Sequence, residues 1–455
     1  MLNKLKHKTM KIKFQSTLSV TSLFLCMIFL AATNPSSSYA QGADKEIQYR
    51  QISLEDYKDK VEGGWLGQAI GVLWGQWTEG KWQGTMVPFD LEDWYRSKTP
   101  PKAVTDKAST IEDSQKRKDF MLLYLNDKKN WEVWTPDKMS DQDDLYIEFM
   151  FLYSIMKNGL DVTATEIAED WVKYLAPNRI WGANKAAYNN FRKGIWPPLS
   201  GNPRFSPQGD AIDFQIEADL FGLISPGMPR ISNAWGDKVG HIMNYGDGVY
   251  AGMAMAAMYS EAFFESNPRK LAEYSLKAIP LESGYAKMVQ DMLDASQKYS
   301  NWQDAWKVIK QKWGMKDGRP VPGLDVRING AFVYMGLLYG EGDFWKSMNI
   351  SMRCGVDSDC NPSSVAGILG TVLGMKGIPA KWAILKDLPI DNIAMDKEIY
   401  PNPIKWDDIL NATVEAGKWN ILDNGGYLSK GVFYIPYQTP TSPPLEQTIW
   451  EEQVR

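Results

Sequence analysis

Residues 354–361 read Cys-Gly-Val-Asp-Ser-Asp-Cys-Asn, so the carboxylates of Asp357 and Asp359 stand one residue apart at the mouth of a Gly- and Ala-rich segment. Asn361 followed by Pro362 supplies a helix start without them, because Asn caps free N–H groups and Pro suits the first helical position. The two aspartates are therefore surplus to the cap. Two nearby carboxylates in a loop repel each other, and their juxtaposition points to a cation between them.

A second acidic run, Asp141-Gln142-Asp143-Asp144, opens a segment that continues through Leu145, Phe149, Leu152 and Met156 with helical spacing. Ser140 and Asp143 fit a capping box, and acids in a first turn suit the helix dipole, so alone this run reads equally well as a helix start. Together with the Asp357 loop it says more. Carboxylate clusters on two separate helix starts can meet around one or two hard cations.

The chain has only two histidines, His7 and His241, and His7 lies in the expected cleaved leader over 1–40, which excludes a zinc site built on two or three of them. Any nucleophile and histidine pair would have to use His241. Oxygen donors without histidine point to Mg or Mn rather than zinc and leave calcium open, although neither cluster has EF-hand spacing. Cys354 and Cys360 flank the aspartates. A free buried thiol is the plainer reading of each, and a disulfide between them is the other.

Residues 1–40 carry Lys4, Lys6, Lys8, Lys11 and Lys13, then an apolar run over 23–32, then Ser38-Tyr39-Ala40. That order is the pattern of a secretory signal, and the apolar run is too short to span a bilayer. Cys26 lies inside the run behind Leu25, where a lipid-attachment site needs a small residue. The expected product is periplasmic or secreted, without a stable membrane anchor. Removing the leader turns 50 basic and 55 acidic residues into 45 and 55, a net charge of −10, which argues against a nucleic acid polymer as partner.

With 455 residues a substantial core is available. Helices are expected near 55–73, 143–158, 163–176, 284–298, 328–339 and 405–418. Over 246–264 the small residues Gly248, Gly252, Ala256 and Ser260 recur four apart, a face that lets another segment approach closely. Ala366, Gly370 and Gly374 repeat the device beyond the aspartate loop. Residues 88–140 are polar, Pro-interrupted and poorly periodic, which suggests an insertion able to cover a site. Strand signals are sparse until 432–435 and 448–450, on either side of a Pro-rich turn at 440–444. The expected organisation is a leader over 1–40, a helical domain over 41–400 and a C-terminal extension over 401–455. No internal repeat is present.

Four of these stretches, in order, resemble the motifs of the ADP-ribosylglycohydrolases over roughly residues 55–385. Gly63-Gly64-Trp65-Leu66-Gly67 and Gly71 to Gly75 leading to Glu79 resemble the family's first helix and its following acid. Gln142-Asp143-Asp144 falls where the family has Thr-Asp-Asp. Phe221-Gly222-Leu223-Ile224-Ser225-Pro226-Gly227, with His241 and the 246–264 helix beyond, is similar to one branch. Gly355 through Asn361, running into Val365-Ala366-Gly367-Ile368-Leu369-Gly370, resembles the C-terminal metal motif, and Gly340-Glu341-Gly342-Asp343-Phe344 is a weaker echo.

The resemblance implies an all-α fold, a compact orthogonal multi-helix bundle, to which the C-terminal strands would add a small irregular or β appendage. It also implies a binuclear Mg or Mn centre that hydrolyses a glycosidic bond to ribose. Carried over by position, Asp143 and Asp144 would bind metal from one side, with Gln142 beside them, and Asp357 and Asp359 from the other. Glu79 falls where some relatives place a catalytic acid. The candidate catalytic groups are thus Glu79, Asp143 and Asp357, with Asp213, Asp219 and His241 as candidate substrate contacts. Three positions depart from the pattern. Gln142 and Cys360 replace threonines and Val72 replaces an aspartate, which bears on the second metal and on ADP-ribose as substrate.

Glycoside hydrolysis needs a carboxyl that protonates the leaving group and a base or metal that activates water. The expected substrate is a small glycoside, nucleoside or ADP-ribosyl compound. The tryptophans near the site segments, Trp74, Trp77, Trp82, Trp131 and Trp134, suit ring stacking, though aromatics more often serve cores. His241 has a structural reading as well, and surface exposure accounts for Asp213, Glu217 and Asp219 as well as substrate contact does. The alternative of another class is an exported carbohydrate- or nucleotide-binding protein that kept the fold and lost turnover. A purely structural export protein leaves the Asp357 and Asp359 pair unexplained.

Overall fold

The computed structural model describes residues 47–446. The expected leader with His7 and Cys26, and the expected strand at 448–450, lie outside the described residues. Within them the chain forms seventeen α-helices and seven short strands, so the all-α expectation is borne out. No helix among them is long and apolar enough to cross a membrane.

Several helices follow their sequence signals closely. Asp143–Asn158 and Gly284–Lys298 begin and end where periodicity placed them, and Leu54–Gly75, Ala164–Tyr174, Val326–Gly340 and Trp406–Asp423 differ at the ends. The first helix starts at Leu54 because the Ser53 hydroxyl accepts from the Asp56 N–H at 2.9 Å, with Glu55 and Asp56 in its positive first turn.

That helix lies directly against Cys360–Leu373. A Cβ on Gly67 would overlap the Ala366 carbonyl, and one on Gly71 the Pro362 carbonyl, so the two backbones touch with no side chain between them. The small-residue face of Asp247–Ala262 works the same way. Gly252 packs against Phe214, and Gly222 sits against Ala256 and Tyr259, which brings the short helices Asp213–Ile216 and Asp219–Leu223 onto it.

Two expected caps are absent. Cys360–Leu373 begins one residue before Asn361, which therefore lies inside the helix; its amide nitrogen donates to Asn329 Oδ1 at 2.9 Å, and its amide oxygen has no partner. Asp359 takes the N-cap position and makes no side-chain cap bond. Asp143–Asn158 likewise has no capping box: Gln142 precedes it, and the Ser140 hydroxyl accepts from the Gln142 amide at 2.9 Å instead.

Residues 88–140 fold as two helices, Lys102–Ser109 and Ser114–Leu125, and an antiparallel strand pair, Tyr95–Ser97 with Trp131–Val133. Leu91, Trp94, Leu125 and Trp131 bury themselves in the body. At the C-terminal end, Val432–Pro436 forms the expected strand. It pairs with Tyr49–Ser53 and Tyr427–Ser429, so both ends of the described chain meet in one three-stranded sheet. Trp406–Asp423 packs on the first helix, where the Trp65 indole donates to the Thr413 hydroxyl at 3.0 Å.

Candidate active site

The loop before Cys360 is held in an unusual backbone. Gly355 has φ +79° and the β-branched Val356 φ +66°, a conformation that costs on the order of 1–3 kcal/mol for a side chain of this kind. Its surroundings over-determine it. The Val356 N–H donates to the Trp82 carbonyl at 2.9 Å, and the Val356 carbonyl accepts from the Gly80 N–H at 3.2 Å. The Thr78 hydroxyl lies 2.7 Å from the Gly75 carbonyl and 2.8 Å from the Ser358 hydroxyl. The turn that follows the first helix, which carries Glu79, is thereby stitched to the loop that carries Asp357 and Asp359.

The two acidic clusters meet at one atom. Ligand atoms of Asp357, Asp359 and Cys360 all lie within 4.8 Å of one another, and so do those of Asp143, Asp144 and the same Cys360. Asp144, Asp357 and Asp359 are buried, and Asp143 is half-buried. Both oxygens of Asp144 and one of Asp359 have no hydrogen-bond partner. Buried orphan carboxylate oxygens, gathered from two helix starts, are what a hard, oxygen-seeking cation requires.

The electrostatics carry the same message. Burial first, then Asp359, Asp144 and Glu79, holds the Asp357 carboxyl well above the usual range. Burial, Asp143 and Asp359 do so for Asp144, and burial and Asp143 raise Asp359 against a hydrogen bond from Asp357. Asp143 is pushed up to about 6 by burial, then by Asp213 and Glu79. Glu79 stands exposed at the lip, and its carboxyl is raised to about 7, first by Asp359 and then by partial burial, with Lys81 opposing. A cation at the centre would relieve all five.

The other candidates are distributed differently. Asp213 and Glu217 are buried, not exposed; Asp213 accepts from the Asn184 N–H at 3.0 Å and raises Asp143, while Glu217 takes the Asn184 side-chain amide. Gln142 lies next to the cluster, with its amide nitrogen spent on Ser140. Asp219 is in the core, accepting from the Tyr259 hydroxyl at 2.5 Å. His241 is not gathered with the aspartates: its ring nitrogens face the Asp237 carbonyl at 2.6 Å and Glu446 at 2.5 Å. Trp74, Trp82 and Trp131 are core residues, whereas Trp77 and Trp134 form a half-buried edge-to-face pair. Cys354 and Cys360 are free and buried.

Sequence reasoning missed Asn184, Lys81 and Glu148. Glu148 had a readable signal, one helical turn beyond Asp144 on the same face. Asn184, which holds Asp213 and Glu217, had none.

The body is helical, and it gathers acids at two helix starts. The sequence model of the ADP-ribosylglycohydrolases matches residues 53–403, and the chain belongs to that family. A solved structure described as an ADP-ribosylglycohydrolase-related protein complex is similar at 13% identity over 80% of this chain and 99% of that one, with a TM-score of 0.47. No curated protein matches. Membership supports a glycosyl hydrolase-like activity on a small-molecule substrate.

Proposed function

We propose that this chain is a metal-dependent glycosyl hydrolase that cleaves an N- or O-glycosidic bond to ribose or a related sugar. The observation that carries this reading is the convergence of Asp143, Asp144, Asp357 and Asp359 on Cys360, with orphan buried oxygens, beside Glu79. Asp143 and Asp144 would hold Mg or Mn from one side, and Asp357 and Asp359 from the other, in a binuclear centre. Ions bound there would supply the charge that polarises a water and anchors sugar hydroxyls.

The remaining work falls to side chains. Glu79, exposed beside the cluster, is set to exchange a proton with the leaving group or the attacking water. Asp213 is held by Asn184 behind Asp143 and adds negative charge on the side away from Asp357 and Asp359, which would favour a cation there. The Cys360 thiol is pushed up by burial and by Asp144, so it stays neutral and fills the space between the aspartates without adding charge. The leader-like first 40 residues support export to the periplasm or beyond, and hence a glycoside, nucleoside or ADP-ribosyl compound met there.

The test is a hydrolysis screen of ADP-ribosyl compounds, nucleosides and oligosaccharides with added Mg or Mn. Turnover that vanishes in a folded Asp357→Asn protein supports the reading; an equally fast Asp357→Asn protein overturns it. Cys360, a soft donor at the meeting point of the clusters, favours one second reading: a carbohydrate- or nucleotide-binding protein without turnover. Metal-dependent ligand binding with no product in the same screen would select it.

A further inference from the structure

One helical turn along from Asp144, Glu148 points into the core with Asp219, and both are wholly buried. Glu148 Oε2 accepts from the Leu220 N–H at 2.9 Å, and Asp219 Oδ2 accepts from the Tyr259 hydroxyl at 2.5 Å. The second oxygen of each acid has no partner. Gln68, on the first helix and also wholly buried, brings its side chain to the same hydroxyl: a Cβ on Gly367 would meet both Tyr259 Oη and Gln68 Cγ. The Gln68 amide nitrogen faces the Tyr259 hydroxyl, and the amide oxygen has no partner.

Three elements thus leave three oxygens unpaired around one phenol. No basic side chain acts on either acid among the described residues. Each neutral orphan alone costs stability, and a buried charge costs more. A proton shared between the two acids, both raised by burial, would satisfy their free oxygens but would leave the Gln68 amide oxygen without a donor.

We propose that Glu148 Oε1, Asp219 Oδ1 and the Gln68 amide oxygen bind a hard cation of the alkali or alkaline-earth class inside the core, separate from the aspartates at Cys360. Carboxylate and amide oxygens without nitrogen or sulfur donors select that class. The ion is structural: it joins the first helix to the Asp143–Asn158 and Asp219–Leu223 helices. The inference is independent of the hydrolase reading, since it concerns no group assigned to turnover.

The experiment is thermal unfolding of the full chain after chelation and exchange into choline chloride, titrated with NaCl, KCl or CaCl2 at constant ionic strength. The Asp357→Asn protein is run beside the parent so that the outer cluster is crippled. One of the three salts is expected to raise Tm by several degrees in both proteins, and Glu148→Gln combined with Asp219→Asn to abolish the rise. An identical Tm in all salts, or a rise that survives in the double variant, overturns the proposal. If the double variant does not fold, Gln68→Leu decides. A midpoint concentration at least tenfold higher than the parent's supports the site, and an unchanged midpoint rejects it.

Discussion

The Thr78 hydroxyl lies 2.8 Å from the Ser358 hydroxyl, and this contact fastens the turn bearing Glu79 to the strained loop bearing Asp357 and Asp359. Removing it should free both partners of the candidate site at once. Thr78→Val is expected to lower stability by about 1–2 kcal/mol, the worth of a buried hydroxyl left unmatched. It should also weaken Mn binding several-fold. Urea unfolding and calorimetric titration measure the two effects, and loss of stability without loss of Mn affinity would separate the turn from the site.

Gly71 faces the Pro362 carbonyl with no room for a methyl group. Gly71→Ala should therefore push the first helix off the helix that follows the Asp loop, at about 1–3 kcal/mol or more. Gly84 has nothing within 4 Å of a Cβ, so Gly84→Ala should stay within about 0.5 kcal/mol of the parent. Denaturant midpoints of the two variants give the comparison directly.

The metal-free protein should be most stable on the acid side. Asp143 sits at about 6 and Glu79 at about 7, above the ordinary carboxyl values near 4, so the native state holds protons that the unfolded chain has released. Stability then falls as pH rises from about 4 through about 7. Saturating Mg or Mn should flatten that slope, which a series of melts across this range will show. A slope unchanged by metal would mean that the ion binds elsewhere.

His241 acts in the same sense, at a higher pH. Burial, the largest single influence, works against its charge, but Glu446 and the Asp237 carbonyl outweigh it and raise its pKa. The ion pair contributes fully below the unfolded value of about 6.5 and is lost as pH rises through the raised native value. His241→Gln should remove this alkaline loss. Limited proteolysis of the segment around Glu446 at pH 6 and pH 9 should show it opening at the higher pH in the parent only.

Cys360 invites a swap of soft for hard. Cys360→Ser keeps the volume nearly constant and places a hydroxyl between the two acid pairs, so Mg or Mn should bind about tenfold tighter, roughly 1.4 kcal/mol. Cadmium should bind less tightly. Titrating both metals into parent and variant checks the pair of shifts. Unaltered Mg affinity would put the ion out of reach of residue 360.

The sequence carried the acids and much of the scaffold, because both are local. Asp143–Asn158 could be bounded from its apolar spacing, and Asp357 with Asp359 stood out because a loop has no local use for adjacent carboxylates. The small-residue face of Asp247–Ala262 foretold a close approach, though not that Phe214 would fill it. The caps misled for a related reason. Asn361 and Ser140 have the right types for capping, but the helix starts before Asn361, whose amide nitrogen goes to Asn329 across 32 positions, and the Ser140 hydroxyl takes the Gln142 amide.

Residue type and order by themselves determined the oxygen-rich chemistry and the helical class. Tertiary structure decided membership in the site. It drew Asp213 to Asp143, sank Asp219 into the core beside Tyr259, and gave His241 to Glu446. The physical reason is range. Helical periodicity and charge crowding act over one or two turns, whereas which carboxylate faces which depends on two glycine-faced backbones meeting from opposite ends of the chain, as Gly71 and Pro362 do.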